Sequence, residues 1–170
     1  MKIAIIGYSG SGKSTLAGLL GNKYALPVLY LDRVQFLLGW KERPIDEKLA
    51  IVGDFLDTHD GWVIDGNYKS VYFERRMMEA DRIIFMNFNR FSCLRRVVKR
   101  YRTYKGKVRD SVAEGCDEKL DFAFVWWNLW SGRTRRRRRL FTRVLAQYPD
   151  KCSVIKNQRQ LTEYIKREGL

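Results

Sequence analysis

The sequence predicts an α/β chain, a three-layer sandwich with helices on both faces of a parallel sheet. Three observations carry this. Short, near-continuous Val/Ile/Leu/Phe runs recur along the 170 residues, as in strands covered on both faces. Helix-like segments separate them, so the chain reads as repeated β-α-β units. The first strand and first helix are joined by Gly7-Tyr8-Ser9-Gly10-Ser11-Gly12-Lys13-Ser14, the G-x-x-x-x-G-K-S pattern of a phosphate-binding loop (P-loop).

In chain order the predicted strands are residues 2–6, 28–31, 62–64, 82–88 and 153–156. The predicted helices are residues 13–24, 44–58, 70–80, 91–104, 118–131, 134–148 and 158–168. Pro44 suits a first helical turn, and Pro149-Asp150 ends the penultimate helix. The stretch 103–131 is too long for a plain connection. It reads as a lid-like insertion in a single domain spanning 1–170, with a polar tip over 104–115 and an aromatic helix after it. On that helix Phe122, Trp126 and Trp130 recur every four residues, a stripe suited to packing the lid on the body or to a dimer contact.

Hydrophobic residues make up 45% of the chain, enough for a sizeable core. No apolar run reaches the roughly 18 residues of a membrane span, so no membrane partner is expected and a cytoplasmic location is the default. Cys93, Cys116 and Cys152 are too scattered for a disulfide framework or a zinc site. His59 is the one histidine, which argues against histidine-based catalysis. The net charge is +14, and it is unevenly placed. Residues 1–90 hold 12 Lys/Arg against 11 Asp/Glu, whereas residues 91–170 hold 21 against 8. The C-terminal half is therefore expected to face something anionic, nucleotide phosphates or a nucleic acid.

The loop states its chemistry. Gly7, Gly10 and Gly12 let the chain curl so that backbone N–H groups converge on one phosphate, and the helix opening at Lys13, Ser14 and Thr15 adds its positive end. Lys13 suits the β- and γ-phosphates, and the Ser14 hydroxyl suits magnesium. Ser9, Ser11 and Thr15 complete the expected contacts with ATP or GTP. Two acids follow strands, Asp32 and Asp65. Strand carboxyl ends are where such sheets bind ligands, and phosphoryl transfer needs a carboxylate to hold magnesium or to take the acceptor's proton. Either acid fits either role. Arg96 and Arg100 share one helix face and suit a phosphoryl clamp. In Arg133 to Arg139, Arg133 and Arg137 share a face and suit nucleotide contact from the lid's base, and the others suit solvent or an external polyanion.

With these residues in view, the chain resembles the nucleoside and nucleotide monophosphate kinase group of P-loop proteins. More closely, it resembles the family labelled DNA topology modulation proteins. The likeness runs through residues 5–16, 27–32, 62–68, 95–101 and 132–134. It implies a five-stranded sheet of order 2-3-1-4-5 under a lid. It implies roles at phosphoryl transfer for Arg100, at nucleotide for Arg96, at phosphates on lid closure for Arg133, beside magnesium for Asp65-Gly66, and near the base for Lys156-Asn157-Gln158. Adenylate kinases follow the Asp-Gly with Phe-Pro-Arg, where this chain has Asn67-Tyr68-Lys69. The function implied is an ATP-dependent phosphotransferase, acting as a monomer or homodimer on an acceptor the sequence does not name. The alternative is a nucleotide-dependent nucleic-acid-binding regulator.

Overall fold

The computed structural model describes residues 1–104 and 120–170. Most of the expected polar tip and the start of the expected helix at 118–131 lie outside the described residues. The elements run β1 (Lys2–Gly7), α1 (Lys13–Tyr24), β2 (Val28–Tyr30), α2 (Leu31–Gln35), α3 (Ile45–Thr58), β3 (Trp62–Asp65) and α4 (Phe73–Glu79). They continue as β4 (Arg82–Met86), α5 (Arg90–Tyr104), α6 (Phe122–Leu129), α7 (Arg135–Gln147), β5 (Cys152–Ile155) and α8 (Gln158–Glu168). Short 3-10 turns stand at Leu38–Trp40, Ser131–Arg133 and Pro149–Lys151.

The five strands pair in parallel in the order β2-β3-β1-β4-β5, the expected one. β1 is central, with Ile5 opposite both Asp65 and Ile84. Its Ile3, Ala4, Ile5 and Ile6 are buried, which is why the run is apolar without alternation. Leu16, Ala17 and Leu20 of α1, Phe141 and Val144 of α7, and Leu161 and Tyr164 of α8 cover the sheet. Since every strand runs the same way, Gly7, Tyr30, Asp65 and Met86 all end at one edge, where the site lies.

Several boundaries differ from expectation. Pro44 caps α3 from outside rather than standing in its first turn. The second strand stops at Tyr30, because Leu31, Val34 and Gln35 turn inward as the buried side of α2. Asp32 therefore sits in a helical first turn, not in a loop. The aromatic stripe faces outward: Phe122, Trp126 and Trp130 are 81%, 49% and 49% exposed and stack on one another. The side of α6 facing the body is instead Asn128 and Leu129.

At the far edge, Arg82 of β4 donates from Nη1 and Nη2 to the Glu168 carboxylate at 3.0 and 2.7 Å, and from Nη2 to the Tyr164 hydroxyl. The Tyr24 hydroxyl also donates to Glu168. These bonds tie α8 and α1 to the sheet. Arg82's hydrogen bonds hold the Glu168 carboxyl below its usual range. Its contribution is full above the ordinary glutamate value of 4.5 and fades as pH falls through its depressed one. Glu168→Gln should cost about 1–3 kcal/mol at neutral pH. Urea unfolding of both proteins should show the gap closing on acidification.

Candidate active site

The phosphate loop leaves the sheet at Gly7, whose φ is +144°; a Cβ there would lie 2.5 Å from the Met86 carbonyl oxygen. At Gly10, φ +77°, a Cβ would lie 2.6 Å from the Cys93 carbonyl oxygen on α5. Only glycine allows this curl against its neighbours. Inside it the Tyr8 carbonyl accepts from the Ser11 N–H (3.2 Å), the Ser11 hydroxyl (2.7 Å) and the Lys13 ammonium (3.2 Å). No side chain caps α1, so its first-turn N–H groups remain available to an anion.

The loop is buttressed from behind. The Tyr8 ring meets Phe141 edge-on at 5.3 Å and Phe85 at 6.2 Å. The Arg133 guanidinium lies 3.8 Å from the ring centre. Its nitrogens donate to the Phe88 carbonyl (3.0 Å), the Cys93 sulfur (3.2 Å) and the Asn128 carbonyl (3.3 Å). Arg133, expected at the phosphates on lid closure, stands here against the loop and Tyr8 and does not line the cleft. Asn128 of α6 reaches the same loop, donating to the Ser9 carbonyl at 3.1 Å. Arg137 stacks on Trp127, with 5.4 Å from guanidinium to ring centre, and does not line the cleft.

In front of the loop the two predicted acids separate. The Ser14 hydroxyl donates to the Asp65 carboxylate at 2.6 Å, and Asp65 is 6% exposed. Asp32 accepts from the Tyr68 hydroxyl at 2.7 Å. Burial first, and then Asp32, push the Tyr68 hydroxyl well above the usual tyrosine range. Residues 66–71, which follow Asp65, are held by Arg76, which is fully buried. It donates to the carbonyls of Gly66 (3.2 Å), Tyr68 (2.6 Å) and Val71 (3.0 Å). Burial pushes this guanidinium down to about 9.

A cleft of about 930 Å³ opens over the loop. Lys13, Arg95, Arg96, Lys99 and Arg100 line it against one acid, Asp32, and Ser9, Gly10, Gly12, Ser14 and Thr15 form its floor. Arg96 donates to the Ser11 carbonyl at 2.6 Å and to Gln158, with its guanidinium 4.3 Å from the Phe88 ring centre. Arg96 thus braces the loop while facing the cleft. Gly7 and Ser11 belong to the loop's frame and do not reach the cleft. Asn157, expected near a base, caps α8 by accepting the Gln160 N–H at 3.0 Å, while Gln158 lines the cleft in its place. No local pattern points to Arg76, and Gln158 is the one residue of the expected 156–158 segment that lines the cleft. Asn67 and Tyr68 are visible in the sequence as part of the resembling stretch 62–68 and as a departure from the adenylate-kinase pattern, neither of which assigns them a contact.

Ser14 and Asp65 present two hard oxygen donors in contact, which fits Mg²⁺ completed by nucleotide phosphate and water. Among the described residues no group of three His, Cys, Asp or Glu could hold a metal by itself.

No family model matches the chain, and no curated protein matches it. Solved structures do. Deoxyadenosine kinase from M. mycoides with bound dATP aligns with a TM-score of 0.54 at 15% identity, covering 100% of each chain. The same kinase with bound dCTP aligns with a TM-score of 0.49 at 15% identity, covering 99% of this chain and 98% of that one. The first likeness shows a P-loop kinase-like fold for the described residues.

Gly10→Ala should displace the loop from Cys93, at a strain of about 1–3 kcal/mol. Titration with a fluorescent ATP analogue should show affinity reduced roughly tenfold or more, with the fold retained by circular dichroism.

Proposed function

We propose that this chain is an ATP-dependent phosphotransferase of the small-molecule or nucleotide kinase type. The observation that carries this reading is the 2.6 Å contact between the Ser14 hydroxyl and the Asp65 carboxylate, beside Lys13 at the floor of a cation-lined cleft. The loop's N–H groups and Lys13 hold the β- and γ-phosphates of ATP or GTP. Magnesium, held by Ser14 and Asp65, supplies charge neutralisation of the phosphates when bound. Asp32 lines the cleft apart from that pair. It orients the acceptor hydroxyl and takes its proton, with the Tyr68 hydroxyl fixing the carboxylate's orientation. Arg96 and Arg100 neutralise charge spread over the transferring group. The lid expected over 103–131, of which residues 105–119 lie outside the described residues, is assigned the exclusion of water that would otherwise hydrolyse ATP. A cytoplasmic location suits this chemistry.

One fold neighbour is a deoxyadenosine kinase, so deoxynucleosides are the first acceptors to test, followed by nucleoside monophosphates and small hydroxylated metabolites. A phosphoryl-transfer screen with MgATP should find one acceptor that releases ADP stoichiometrically. Lys13→Ala should abolish that turnover, and Asp32→Asn should lower it by about 10²–10⁴ with nucleotide affinity retained. Wild-type turnover in Lys13→Ala refutes the site.

A second reading rests on a different observation. Arg135, Arg136, Arg138 and Arg139 of α7 are all exposed, which favours a nucleotide-dependent nucleic-acid-binding regulator of the DNA topology modulation kind. It predicts binding to DNA or RNA whose affinity falls steeply with salt. Neutralising Arg135, Arg138 and Arg139 should reduce that slope by about 0.7–0.9 for each arginine that had neutralised a phosphate. The absence of binding at low salt rejects it.

A further inference from the structure

The β1–β3 ladder ends before the phosphate loop begins. Its last paired residues are Ile5 and Asp65, and its last backbone bond runs from the Gly66 N–H to the Ile5 carbonyl at 3.1 Å. β1 continues two residues further, paired on its other side with β4 as far as Gly7 opposite Met86. In a parallel ladder alternate residues turn their N–H and C=O to the same neighbour. Gly7 therefore turns both groups toward a place where β3 has no strand left.

The Asn67 side chain fills that place. Its Oδ1 accepts the Gly7 N–H at 2.9 Å, and its Nδ2 donates to the Gly7 carbonyl at 2.6 Å. A carboxamide carries the donor and acceptor of a peptide group, so one side chain adds the missing rung. Aspartate lacks the donor, and alanine lacks both groups. Gly7 cannot be anchored through a side chain of its own, because its Cβ position is taken by Met86. Asn67 itself is held in place, since Arg76 bonds the carbonyls on either side of it, Gly66 and Tyr68.

We infer that Asn67 is a positioning residue for the phosphate loop: it fixes the point at which the loop leaves the sheet, and with it the spacing of the loop from Asp65. This rests on the phosphotransferase reading above. Asn67 touches no reacting atom; it acts through Gly7. Its removal acts on nucleotide affinity and turnover more than on overall stability, because the rung lies at the sheet's end and the core beneath it is complete.

The test is titration of wild type, Asn67→Ala and Asn67→Gln with a fluorescent ATP analogue and Mg²⁺, with thermal unfolding followed in parallel. Asn67→Ala should bind roughly tenfold or more weakly while unfolding within a few degrees of wild type, and Asn67→Gln, which keeps the carboxamide, should recover part of the affinity. Wild-type affinity in Asn67→Ala overturns the inference alone, whatever its unfolding temperature. A wild type that binds no nucleotide overturns the phosphotransferase reading and this inference with it. If Asn67→Ala does not fold, amide exchange in the wild type decides: a slowly exchanging Gly7 N–H supports the rung, and exchange at the rate of an open amide overturns it.

Discussion

A serine hydroxyl on the first turn of α1 and a carboxylate at the last residue of β3 lie 2.6 Å apart. That contact depends on two chain segments leaving adjacent strands at the same height. Parallel pairing sets Ile5 beside Asp65, and the glycine curl then returns the chain so that Ser14 meets the end of the neighbouring β3. The basic cleft, the acid pair and the placement of Lys13 all follow from this return. A displacement of a residue or two in either strand would part the hydroxyl from the carboxylate.

The supports around this contact are polar groups in places that ordinarily favour apolar ones. Arg76 and Arg133 use backbone carbonyls, a thiol and aromatic faces as partners. Bringing a guanidinium out of water is costly even when its donors are satisfied. What each arginine gives is shape: one fixes the segment after β3, the other wedges Tyr8 from below. The site is thus buttressed by hydrogen bonds on its β3 side and beneath the loop, while α5 lines the cleft with Arg95, Lys99 and Arg100.

The phosphate loop is legible in the sequence because each of its residues has a local reason to be there. Asp65 is legible because it directly follows an apolar strand. The division of labour between Asp32 and Asp65 is not, since both follow strands and only the return of Ser14 tells them apart. The arginines are harder still. Arg96 and Arg133 are chemically identical in the sequence, yet one lines the cleft and the other buttresses the loop, because tertiary packing decides. Asn67 lies 60 residues from the backbone it completes, a distance no local pattern spans. α2 is silent in the sequence because so short a helix holds too little periodicity. The outward turn of the Phe122-Trp126-Trp130 stripe shows that periodicity marks a face without saying which way it points.

The most direct measurement is a crystal structure grown with a non-hydrolysable ATP analogue and excess Mg²⁺. The account predicts the β- and γ-phosphates within the curl from Gly7 to Ser14, Lys13 swung from the Tyr8 carbonyl onto them, and the metal between Ser14 and Asp65. An analogue bound elsewhere, with the curl empty and Lys13 still on Tyr8, would contradict it.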